Sequence, residues 1–543
     1  MEQTERGSSR ATDVLLIALN QICDTSGWYA STLQLQLVSV QLCTACRRTA
    51  AWHLTVEDAT PSHLWSSDDK AALAKKEGRN RKRLVTTRVP VLRARSVTWK
   101  LSNSTPRCTG ATLSSVECFV LGQSVDRCLK GAVWPRAMRC LSFGRWFNPA
   151  VLNVPWPETL REVDFGFSFN AAVLGVSWPM SLEKLRFGDA FNRPIDGVSW
   201  PESLRELTLG WCFNHPIRGV SLPRNLRVLT LGYNFDKPIN GLSWPSSLQV
   251  LILGAKFNQS MTGAAWPRSL VVLTLGSKFD QPVSAVTWPP SLQELSFGEN
   301  FNQPIDGAKW PPSLRRLAFG SYFNMPIDAA RFPASLERLS FGWYFNQPVV
   351  DVMWPASLRH LTFGNKFDQP VDGVLWPASL RKLVFGRLGG EFARAIDGVS
   401  WPPALTDLDL GSSFNHPIEG VTWPPSLQRL HFGGRFDQPI HEVVWPASLL
   451  TLEIGDGFNQ PIAGVRWPTS LGRMAFGRRF VQAIDEVVWP PSLRWLTFGG
   501  SLAWPPGGVT LPASLRVVEV CRHPRDPLPE VANVEVRRLW NMY

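Results

Sequence analysis

No apolar run in this chain approaches the roughly 18 residues needed to cross a bilayer as a helix, the nearest being the short stretch at residues 14–19. No positively charged, then apolar, segment with a small-residue cleavage site opens it. The nine cysteines are an odd number in a chain of 543 residues, which fits a reducing setting better than a disulfide framework. These absences predict a soluble protein of the cytoplasm or nucleus.

Signatures of chemistry are equally scarce. There is no Gly-x-x-x-x-Gly-Lys-Ser/Thr to cradle a phosphate. Cys43-x-x-Cys46 stands alone, without a second Cys or His pair at zinc spacing, and reads as one face of a helix. His215 and His416 merely replace a recurring Gln, and no Ser, Cys or carboxylate accompanies them consistently. The expectation is a protein without catalytic residues, metal or cofactor. Charge is also sparse, at 18% of residues, and the net +12 divides evenly between residues 1–105 and the remainder. A general attraction to nucleic acid or anionic lipid is permitted by that balance, not implied.

What the chain has in abundance is one sentence repeated. A single copy reads Ser291-Leu-Gln-Glu-Leu-Ser-Phe-Gly-Glu-Asn-Phe-Asn-Gln-Pro-Ile-Asp-Gly-Ala-Lys-Trp-Pro-Pro312. An aromatic or Leu followed by Pro recurs at 18 anchors from Trp134 to Leu511, every 22 residues except for one step of 25, and Gly stands ten residues after each anchor but the last, where Cys521 replaces it. Strict phasing at this period means an array of stacked units.

Each unit divides into two halves. Leu292, Leu295 and Phe297, with polar Ser296 between the last two, predict a short strand with one buried face. The return half carries Pro at two separated places, so it is extended and turned. Seven apolar positions (Leu292, Leu295, Phe297, Phe301, Ile305, Ala308, Trp310) point to a shared interior. Exposed tryptophans often bind ligands, but recurrence at one inward phase assigns the Trp-Pro anchors to core stacks. Asn or Asp after each Phe reads as a ladder satisfying backbone groups at the turn. Gly at the strand end serves either a positive-φ turn or close approach between layers. The expected fold is a β-rich solenoid: a leucine-rich-repeat-like stack of 22-residue units with one continuous parallel sheet, plus a small helical N-terminal region.

At Phe301-Asn-Gln-Pro-Ile305, and at Phe-Asn/Asp-x-Pro-Ile/Val in most other units, the array resembles the FNIP repeat. The leucine-rich pattern is met at Leu292, Leu295 and Phe297, while its usual asparagine is not kept at the same offset. That resemblance implies a protein-interaction scaffold with no chemistry of its own. Ahead of the array, residues 13–23 and 33–48 predict two helices with apolar faces, and the order Leu-Val-Ser-x-x-Leu-Cys-x-Ala-Cys-Arg is similar to an F-box lacking its opening Leu-Pro. The F-box likeness implies a cullin-type ubiquitin-ligase adaptor as partner; the alternative is a small helical cap. Domains are accordingly expected at 1–60 (cap), 61–105 (basic linker), 106–521 (solenoid) and 522–543 (tail).

Binding is expected where the units differ. Stacking puts Arg315, Arg316, Arg338, Arg359, His360, Arg381 and Lys382 on one side, relieved only by Glu337. Tyr322, Trp343 and Tyr344 lie just past the strand ends of the same units, and the insertion at residues 387–391 borders the patch. Arg with aromatic residues is a common hot-spot combination, and suits an acidic segment of a partner protein. Two other readings stay open: a solvated charge ladder, and binding of nucleic acid or another polyanion through this face and the basic run at residues 75–83.

Overall fold

The computed structural model describes residues 53–56, 96–99, 117–121, 129, 132, 134–386, 389–499, 509–520 and 534–538. The chain divides into two units, Met1–Ala51 and Trp52–Tyr543, and the described residues belong to the second. Twenty-two short strands run through them, from β1 (His53–Val56), β2 (Ser96–Trp99) and β3 (Cys118–Leu121) to β21 (Val517–Val520) and β22 (Glu535–Arg538). Each pairs in parallel with the next in sequence, giving one sheet without crossovers. This is the predicted solenoid.

Within the unit at residues 291–312 the seven positions read as interior are all buried. Their aromatic members stack from unit to unit. Phe301 lies 6.0 Å from Phe279 and 5.9 Å from Phe323, and Phe297 rests on Phe301 at 4.1 Å. Trp310 stacks on Trp288 at 6.2 Å and meets Phe297 edge-on at 6.1 Å. An isolated unit has no neighbour to complete these contacts, so burial is achieved by stacking.

Two polar ladders seal the turns. The Oδ1 of each Asn or Asp accepts the backbone N–H of its counterpart one unit later, as in Asp280 to Asn302, Asn302 to Asn324 and Asn324 to Asn346, at 2.8–2.9 Å. The Gln that follows donates to the same oxygen, Gln303 Nε2 to Asp280 at 3.0 Å. His215 and His416 at that place reach the preceding unit's carbonyl instead, at 3.1 and 2.8 Å. The second ladder was not foreseen: Ser313 and Ser335 Oγ donate to the carbonyls of Leu292 and Leu314, at 2.8 and 2.7 Å.

The strand-end glycines prove to serve close approach. A Cβ on Gly298 would lie 1.6 Å from the Gly276 carbonyl oxygen, whereas the left-handed conformation falls at the Asp-Gly turn, at Gly307 with φ 72°, and at the strand end only beside the insertion, at Gly386 and Gly411.

The sheet extends past the Trp-Pro anchors at both ends. β2 falls in the segment read as a linker, yet Ser96 pairs with Cys118, 22 residues on. The sequence Ser-Val-Thr-Trp alternates as a strand requires, so the period outlasts its most visible letters. β1 falls inside the segment read as a helical cap, and β22 inside the segment read as tail. The helices predicted at residues 13–23 and 33–48, with Cys43-x-x-Cys46, lie outside the described residues, as does the basic run at 75–83. Among the described residues no helix is long and apolar enough to cross a membrane.

Candidate functional site

Because the units stack in register, outward residues 22 apart in sequence become lateral neighbours about 4.8 Å apart. Strands β12 (Arg316–Ala318), β13 (Arg338–Ser340), β14 (His360–Phe363) and β15 (Lys382–Phe385) bury Leu317, Leu339, Leu361 and Leu383. Alternation then turns the first residue of each strand outward. Arg316 pairs with Arg338, Arg338 with His360, and His360 with Lys382. One residue earlier, Arg315, Glu337, Arg359 and Arg381 form a second row, joined by backbone hydrogen bonds of 2.8–2.9 Å. The structure thus brings the predicted basic residues together.

Two of them are neutralised. Arg315 pairs with Glu337 at 3.0 Å, as the sequence suggested, but Arg316 also pairs with Glu294 at 2.8 Å, so Glu337 is not the only relief. Glu294 begins β11 (Glu294–Ser296), in register with Arg316, and it was overlooked because it belongs to the unit before the basic run. Arg338, Arg359, Arg381 and Lys382 make no ion pair among the described residues. The local field registers on His360: burial first, then Arg338 and Lys382, hold its imidazole below the ordinary histidine value, with Asp407 opposing.

Tyr322, Trp343 and Tyr344 stand 48%, 47% and 43% exposed, and Tyr322 stacks on Tyr344 at 5.0 Å. They share a location with every other exposed Trp, Tyr or Phe among the described residues. Trp146, Phe167, Trp211 and Tyr233 also sit in the two positions between the strand-end Gly and the following Phe. The aromatic rim therefore extends well beyond the basic segment. At the insertion Gly386 and Gly389 take left-handed φ of 79° and 82°, and Phe385 still packs on Phe392 at 4.3 Å, so the core column continues past it. Glu391 forms an ion pair with Lys366. Arg387 and Leu388 lie outside the described residues.

Beyond Lys382 the face changes character. Strands β16 (Asp407–Asp409), β17 (Arg429–His431) and β18 (Thr451–Ile454) line a cavity of about 250 Å³ with Lys382 and Glu453. Against the opposing effect of burial, hydrogen bonds from Arg429 and from Thr406 hold the Asp407 carboxyl below the usual range. His431 Nδ1 lies 3.0 Å from Asp409 Oδ1, and that bond raises its pKa, with burial acting the other way. Opposite charges in register satisfy each other here, so this end of the face is self-neutralised. The signal was present at Asp409 and His431, 22 residues apart at outward positions, but no repeat-wide pattern marks it.

A family model described as FNIP Repeat matches residues 169–212, 213–256, 257–300, 301–344, 345–388 and 414–457. The crystal structure of CroV588, described as a novel circular LRR protein, is similar over 82% of this chain and 79% of its own, with 30% sequence identity and a TM-score of 0.60. An internalin (InlF) from Listeria monocytogenes matches 53% of this chain and 84% of its own, at 16% identity and a TM-score of 0.38. No curated protein matches the sequence.

Proposed function

The chain belongs to the FNIP repeat family, leucine-rich-repeat-like solenoids whose fold is of the scaffold type and suited to protein binding, and on that premise we propose that it takes an acidic protein segment on the outer face of β13–β15. One observation carries this reading: Arg338, Arg359 and Arg381 converge on neighbouring strands with no ion pair among the described residues, and Lys382 joins them from β15, with Asp407 across the next pairing. Like charges held side by side repel, and an acidic ligand relieves that cost. The exposed Tyr322, Trp343 and Tyr344 at the ends of β12 and β13 add ring surface at low conformational cost. Replacing Arg338, Arg359 and Lys382 by Glu abolishes capture of a specific acidic partner, and capture that persists at wild-type strength contradicts the assignment.

A polyanion such as RNA or heparin is the second reading, supported by the same cations and by the basic run at residues 75–83. Binding without base preference, lost as salt rises from low to physiological, is the signature of charge alone. The F-box-like order at residues 33–48 supports a further role as substrate receptor of a cullin-type ubiquitin ligase. Copurification of the ligase adaptor with the full chain, and its loss when residues 1–60 are removed, tests that role.

A further inference from the structure

Three strands before the first unpaired cation the same face turns apolar. β8 (Val228–Thr230), β9 (Val250–Ile252) and β10 (Val272–Thr274) bury Leu229, Leu251 and Leu273. They leave Val228, Val250 and Val272 outward, half-buried and in lateral register, with Ile252 outward between Thr230 and Thr274 in the next row and no charged residue on the three strands. Just past β7 (Glu206–Thr208) and β8, Trp211 and Tyr233 stack at 4.0 Å with planes 8° apart and stay 47% and 39% exposed. Elsewhere outward strand positions are mostly charged, as at Glu162, Lys184 and Glu206, where Lys184 bridges both carboxylates. Aliphatic sheet surface beside exposed stacked rings is unfavourable in water and marks an interaction site.

The charge on the neighbouring strands says what covers it. β8–β10 and β13–β15 belong to one continuous sheet, separated by β11 and β12, whose Glu294 and Arg316 neutralise each other. From β9 to β14 is five strand steps, about 24 Å at about 4.8 Å per step. An extended chain advances about 3.3 Å per residue, so about seven residues join the centres of the two patches. A segment held at one end by the basic row therefore passes over the apolar strands at a fixed offset.

We propose that the ligand is a protein segment in two parts: a cluster of carboxylates on β13–β15 and, about seven residues away, apolar side chains seated on Val250 and Val272 beside the Trp211–Tyr233 pair. This inference rests on the reading of the basic row given above.

Selection of random 16-residue peptides displayed against the immobilised full chain tests it. The expected pool is enriched both in carboxylate clusters and in Leu, Ile, Phe or Trp about seven positions away. Individual selected peptides lose at least tenfold in affinity on Trp211→Ala, and on the paired conservative variant Val250→Thr with Val272→Thr, which keeps side-chain shape and so the fold. A pool rich in carboxylates with no apolar enrichment at a fixed offset overturns the two-part ligand while leaving the basic row standing. A pool without carboxylates overturns both.

Discussion

Arg338 stands beside His360 across the β13–β14 pairing, while His431, three strands further on, stands beside Asp409. The two histidines are pushed in opposite directions. His360 is lowered by burial and by the neighbouring cations, and His431 is raised by its hydrogen bond to Asp409. Unfolded, both titrate near about 6.5.

Their contributions to stability consequently have opposite signs. For His360 the unfolded chain takes up the proton first, so stability is lost as pH falls from about 6.5 to the lowered folded value. For His431 the stabilisation is complete below about 6.5 and is lost as pH rises through the raised folded value. Histidine proton NMR, assigned with His360→Gln and His431→Gln, should show the first titrating below and the second above the free imidazole. Asp409→Ala should bring His431 down. Titration of both at the free value contradicts the field assigned to this face.

Trp310 gives the next test. Its Nε1 is buried without a hydrogen-bond partner, as are those of fourteen other anchors, so the ring serves by packing alone. Trp310→Phe should cost no more than about 1 kcal/mol, since no hydrogen bond is lost and Phe332 already occupies an anchor. Trp310→Ala should cost about 3–5 kcal/mol through the cavity it leaves. Thermal unfolding of the two variants checks the contrast, and a Phe variant as damaged as the Ala variant shows that the indole N–H matters.

The Asn ladder predicts a similar split. Asn302→Asp keeps the oxygen that accepts the Asn324 N–H and should be close to neutral, because Asp280 and Asp368 perform the same task. Asn302→Ala leaves that N–H unsatisfied and should cost about 1–3 kcal/mol. Denaturant unfolding, read as a change in midpoint, separates the two.

Glycine at two places should respond differently to Ala. At Gly298 the added Cβ meets the Gly276 carbonyl, and neighbouring layers have to part; at Gly307 nothing lies within 4 Å and only the positive φ is opposed. Gly307→Ala should cost about 1 kcal/mol. Gly298→Ala should lower the melting temperature by clearly more.

The scaffold was legible in the sequence because each unit repeats the same physical requirement. Phe301, Ile305 and Trp310 announce the core by phase, and Asn302 announces the ladder because a turn beside a buried column has to satisfy its backbone. Ser313 was missed since a serine before leucine looks like any turn residue, and its acceptor, the Leu292 carbonyl, lies a full unit away. Gly298 left two readings open, and only the distance to Gly276 separates them. On the outer face the repeat gives no such help. Arg316 reads as one more free cation until register sets it against Glu294, and Val250 with Val272 reads as ordinary strand until their neighbours prove equally apolar.

The most direct measurement compares the affinity of an acidic ligand peptide for the wild-type chain, for the triple variant Arg338→Glu, Arg359→Glu, Lys382→Glu, and for the control Arg218→Glu with Arg268→Glu in the exposed return halves. The account predicts at least a hundredfold loss in the triple variant and little change in the control. Equal loss in both, or none in the triple variant, contradicts a docking site on the outer face of β13–β15.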